Sequence, residues 1–133
     1  MADTVDSKVL INNGIHYHVR LTNESDGTGE SNVVKIDFSA LTAFNNEVIK
    51  AIDVYRIYGM VGGMNYVTLE WDATTNDEII VLPRGSFDMD WTDSGGLRDP
   101  ISSAATGDVL LSTDGAVDGD SYSITLECRI RNR

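Results

Sequence analysis

The chain has 133 residues, 41% hydrophobic and 23% charged, which suits one globular domain over 1–133 and excludes a disordered polymer. Twenty-one acidic residues against ten basic ones give a net charge of −11, so phosphate backbones and anionic membrane surfaces are repelled. Neither nucleic acid nor a membrane is therefore an expected partner.

In chain order, the opening "MADTVDSKVL" lacks the basic and apolar regions of a secretory signal. Residues 1–7 are polar and lie outside any strand pattern, so they are expected to form a flexible N-terminal arm. "IHYHVRL" then alternates, with Ile15, Tyr17, Val19 and Leu21 on one face and His16, His18 and Arg20 on the other. Val34, Ile36 and Phe38 mark a further strand. A turn or two of helix is expected near Leu41 to Glu47, the only helix in the chain. "IKAIDVYRIY" carries apolar residues on both parities, which predicts a strand covered on both sides, by its own core and by a neighbouring chain.

"GMVGGMN" reads as a flexible loop between strands, with Met60 and Met64 as adaptable contacts. The stretch "YVTLEWDATTNDEIIVLPR" reads as a β-hairpin, with Val67, Leu69 and Trp71 inward and carboxylates beside its turn. "SYSITLECRI" is the cleanest strand: Tyr122, Ile124, Leu126, Cys128 and Ile130 face in, and Ser123, Thr125, Glu127 and Arg129 face out. Asn13-Gly14, Asp26-Gly27, Gly62-Gly63, Gly95-Gly96, Asp114-Gly115 and Asp118-Gly119 supply the turns. The expectation is an all-β fold, an antiparallel β-sandwich of about eight or nine strands, with a jelly roll as one arrangement of them.

Chemistry is sparse. "FDMDWTDSGG" gathers Asp88, Asp90 and Asp93, oxygen ligands of the kind calcium takes, but without the spacing of an EF-hand loop. Asp114, Asp118 and Asp120 fit Asp-Gly turns better than a metal site. His16 and His18 share a strand face, yet a zinc site needs two more ligands. Cys128 sits in an inner set, as a small core hydrophobe rather than a nucleophile. There is no G-x-S-x-G, P-loop, H-E-x-x-H or dinucleotide motif. No catalytic residue, cofactor or metal ligand is assigned, and an enzyme is not expected. Among non-enzymatic readings, Tyr58, Tyr66 or Trp91 could stack sugars beside Asp88 and Asp90 in a carbohydrate-binding, host-recognition module.

From Tyr55 to Ile124, "LEWDAT", "GGLRDP", "TGDVLLST" and the final "SYSIT" resemble small virion proteins of tailed bacteriophages. That resemblance implies an all-β structural protein of the particle, made in the host cytoplasm and resident on the capsid surface. Its preferred form is a capsid decoration (cement) protein, working as a homo-oligomer, dimer or trimer, bound to the major capsid protein or other virion proteins. A head–tail connector, neck or tail component is the neighbouring expectation.

Overall fold

The computed structural model describes residues 3–41 and 49–131. Among these residues eight strands run β1 (Thr4–Asn12), β2 (His16–Asp26), β3 (Val33–Ile36), β4 (Ala51–Trp71), β5 (Asp77–Asp90), β6 (Leu97–Arg98), β7 (Val109–Asp114) and β8 (Asp118–Arg131). Short 3-10 turns occupy Phe38–Ala40 and Thr92–Ser94. Every pairing is antiparallel, and the strands form one nearly closed, barrel-like sheet of order β1-β2-β8-β4-β7-β3, with β5 and β6 added to β4. The fold is all-β, as the alternation predicts. The expected short helix near Leu41 to Glu47 falls almost wholly outside the described residues.

The two layers are two halves of this one sheet. The first part of β4 pairs β8 on one side and the end of β5 on the other, with Ile57 opposite both Leu126 and Met89. Its last part pairs β7 and the start of β5, with Leu69 opposite Leu111 and Ile80. One layer is thus β1-β2-β8-β4-β5, and the other β3-β7-β4-β5. Between them lies one apolar cluster that takes Val19, Leu21, Ile57 and Leu126 from the first layer and Ile36, Leu69, Trp71 and Leu111 from the second. Each fully buried side chain of this size stabilises the fold by about 1.5–3 kcal/mol.

The corner between layers is the "GMVGGMN" stretch, which is not a loop. It lies inside β4, and the ladder to β5 is interrupted between Val61 and Tyr66. Gly63 has φ +90, and a Cβ there would run into the Asp120 carboxylate, so only glycine serves at this bend. The Arg84 guanidinium donates to the carbonyls of Gly63 (2.8 Å) and Met64 (3.0 Å), satisfying acceptors that the interrupted ladder leaves open. Met64 is fully buried and Met60 is exposed, so the two methionines do not share one adaptable surface. Upstream, Gly59 has φ +145 and lies so close to β8 that a Cβ would collide with the Ser123 carbonyl oxygen. Two successive glycine requirements let a single strand bend without ending.

Three other expectations change. Residues 4–7 do not form an arm: they belong to β1, paired from Thr4 opposite Glu24 to Ser7 opposite Leu21. The outward side chains of β1 lack an apolar surplus, which hid the strand. In β3 a bulge between Val34 and Ile36 shifts the register, burying Lys35 and Ile36 together and leaving Val34 exposed. Phe38 lies in the following 3-10 turn. Finally, Ala51 to Val54 are all buried within the single chain, against its own 91–98 segment. β6 pairs Asp53 and Val54, Trp91 N–H donates to the Tyr55 carbonyl, and Gly96 lies against Asp53 and Tyr55.

Candidate functional site

The outer face of the first layer can be built row by row from the register, because directly opposed residues of an antiparallel pair point the same way. One row runs His16, Arg129, Asp53 and Arg98 across β2, β8, β4 and β6. The next runs His18, Glu127, Arg56 and Asp90, and the third Lys8, Arg20, Thr125, Tyr58 and Asp88. Six of the ten basic residues lie here: Lys8, Arg20, Arg56, Arg98, Arg129 and Arg131. Eight acids, Asp6, Glu24, Asp26, Asp53, Asp88, Asp90, Asp118 and Glu127, outnumber them by two. The face carries a net charge of −2, and the other −9 of the chain's −11 resides elsewhere.

Two adjoining hollows open on this face. The smaller, about 170 Å³, is lined by His16, Asp53, Tyr55, Thr92, Gly95 and Arg129. The larger, about 290 Å³, is bounded by Asp53, Gly95, Arg98, Arg129, Ile130 and Arg131. Asp53 is their shared floor. Its carboxylate is buried between Arg131 Nε (3.2 Å) and Arg98 Nε (3.6 Å). Arg129 and Arg20 have no ion-pair partner among the described residues. Three arginines around one carboxylate leave a locally positive notch on an acidic molecule.

Beside the notch, His16, His18 and Tyr55 form an edge-to-face cluster with ring centroids 5.8–6.2 Å apart. Burial, and then the charge of Glu127, raise the Tyr55 pKa, so the phenol stays protonated. It can donate to His18 Nε2, 2.6 Å away. His16 Nδ1 is buried without a hydrogen-bond partner. The two histidines thus share a face as the alternation predicts, with Arg129 opposite His16 and Glu127 opposite His18. No group of three or more His, Cys, Asp or Glu side chains is gathered to hold a metal among the described residues.

The other candidate positions are tied into structure. Asp88 takes two hydrogen bonds from Arg56, at 3.1 and 2.9 Å, and Asp90 accepts from the backbone and hydroxyl of Thr92. Asp93 is exposed in the following turn. Asp114 accepts from Asn65, and Asp120 from the Val117 N–H, which is turn chemistry. Tyr58 lies under the Arg56 guanidinium at 4.7 Å, and Trp91 packs against the core, so of the three candidate sugar platforms Tyr66 alone is open. Cys128 is fully buried. Desolvation first, then the charges of Asp53 and Glu127, push its thiol pKa well up. It is neither a nucleophile nor a ligand in this state.

One cluster gave no sequence signal. Glu30, on the crossover between β2 and β3, accepts from Asn23 Nδ2 (2.7 Å) and Tyr122 Oη (2.5 Å), and its Oε2 lies 2.6 Å from Lys35 Nζ. Asn23 also donates to Asp3, which further accepts from Ser25 Oγ and from the N–H groups of Asp26 and Gly29. Five segments meet in this network, and no spacing rule links them. It ties the crossover, the N-terminus and β8 together, and it is structural.

No family model, curated protein or solved structure matches the chain.

Proposed function

We propose that this chain is a non-enzymatic virion structural protein of a bacteriophage, a capsid decoration protein that docks on the shell through the outer face of its first layer. The observation that carries the reading is the charge distribution: six of the ten bases gather on one face, which is left near −2 on a chain whose net charge is −11. An acidic remainder keeps free subunits apart in solution. A nearly neutral, ion-pair-laced face, with Arg20 and Arg129 outside its ion pairs, gives local steering toward acidic spots on a shell.

The all-β scaffold accords with a binding role. So does the resemblance of "LEWDAT", "GGLRDP" and "TGDVLLST" to phage virion proteins.

The test is co-sedimentation with capsids stripped of decoration. Wild type should pellet with them, and Arg20→Glu with Arg129→Glu should weaken this at least tenfold while leaving the melting temperature unchanged. Binding to purified necks or tails instead would move the chain to the connector or tail class. Failure to bind any particle component would remove the reading.

A further inference from the structure

We propose that the free edge of β1 pairs, antiparallel, with β1 of a second copy about a two-fold axis through Ser7. This names the partner in the homo-oligomer of the reading above, and rests on that reading for its purpose but not for its chemistry.

Among the described residues β1 pairs only β2, so one row of its backbone N–H and C=O groups is unmatched there. All nine of its residues are exposed. Val5 and Val9 face the core side, opposite Asn23 and Val19, yet are 46% and 47% exposed. Val19 itself is fully buried. The core-side surface therefore stops short at this edge, with two valines hanging over it.

The sequence of the strand is complementary to itself. With Ser7 opposite Ser7 of the second copy, Val5 opposes Val9 and Asp6 opposes Lys8, and each pair occurs twice by symmetry. The valine pairs fall on the core side and the ion pairs on the outer side, because opposed residues share a face. No other register sets Asp6 against Lys8. The stretch involved, Val5–Val9, is the bulge-free part of β1: the ladder slips only between Val9 and Ile11. That slip ends the pairing, as bulges at sheet edges do.

The strand carries one acid and one base, so it adds no repulsion to a strongly acidic chain. The competing edges are worse placed. β5 has Pro83 in mid-strand and acids at 77, 78, 88 and 90, and β3 is four residues long.

The test uses the full chain. Wild type should show twice the monomer mass by light scattering at high concentration and dissociate on dilution. Ser7→Cys should close to a disulfide dimer on mild oxidation, since opposed Cα atoms lie within disulfide reach. Thr4→Cys, which would face Leu10, should not, and the buried Cys128 does not interfere. Asp6→Lys and Lys8→Asp should each be monomeric alone and should form a heterodimer when mixed, because mixing restores both ion pairs.

A wild type that stays monomeric at every concentration would overturn the proposal. So would a mixture that stays monomeric, or Thr4→Cys linking as fast as Ser7→Cys. Capsid binding is read separately: a monomer that still decorates capsids fails this proposal alone, and a dimer that ignores capsids fails only the functional reading.

Discussion

Glu30 and Lys35 form an ion pair at 2.6 Å with side chains 5% and 3% exposed, inside a sheet edge rather than on a surface. Five residues apart in sequence, they meet because the bulge in β3 turns Lys35 inward, toward the crossover that carries Glu30. The carboxylate is compensated on both oxygens: Tyr122 and Asn23 donate to one, and the ammonium sits at the other. Burial, then the hydrogen bond and charge of Glu30, raise the Tyr122 pKa far above its ordinary value, so the phenol is a permanent donor.

Removing one partner of such a pair strands the other. Lys35→Met is expected to destabilise the fold by about 3–5 kcal/mol in urea unfolding, because an uncompensated buried carboxylate remains. Adding Glu30→Gln to it should recover part of that loss. A double variant no more stable than Lys35→Met alone would show that the pair does not act as a unit.

Asp3 gives a pH dependence whose sign follows from its neighbours. Burial raises its pKa, but the hydrogen bonds from Asn23, the Gly29 and Asp26 N–H groups and Ser25 outweigh this and lower it below 3.8. A lowered folded pKa contributes stability that is present above the unfolded value and lost as pH falls through the folded one. The protection of amides at the start of β1, relative to their intrinsic exchange rate, should therefore fall once pH drops below about 3.8. Asp3→Asn should show fast exchange there at neutral pH as well.

Cys128 offers a clean probe of global opening. Its thiol is buried and its pKa raised, so an alkylating reagent at neutral pH should not react with the native chain. Labelling should follow the unfolded fraction as urea is raised. Fast labelling in native buffer would mean that β8 opens locally.

Gly59→Ala should cost about 2 kcal/mol or more, since φ +145 is essentially glycine-only and the added methyl meets the Ser123 carbonyl. Gly85→Ala has φ +111 but open space around it, and should cost less. Melting temperatures of the two variants measure the separate contributions of strain and collision.

Much of this fold was legible where side chains alternate against one covered face. β2, β8 and the β4–β5 hairpin show it: Tyr17, Val19, Leu21, Val67, Leu69, Trp71 and the inner set of β8 are buried as the period predicts. Ile15 was misjudged because it sits in the turn ahead of β2 and is exposed. β1 was invisible because its core-side set is thin, with Ser7 between Val5 and Val9. Gly62-Gly63 carries the same two letters whether it ends a strand or bends one, and only the third dimension decides. The Glu30–Lys35 pair depends on a one-residue register slip, which no spacing rule records. For the outer face, the sequence named His16, His18, Arg20 and Arg129 correctly as outward but could not place Tyr55 and Arg98 beside them.

The bend in β4 also governs how the molecule comes apart. A sandwich made of two separate sheets can part at the interface by losing side-chain packing alone. Here Ala51–Trp71 is one unbroken backbone passing through both layers, with β5 alongside it for most of that length. Prising the layers apart means tearing covalently continuous ribbon from its neighbours on each side, so a pull on either layer loads the other, and the subunit behaves as a single rivet rather than two plates.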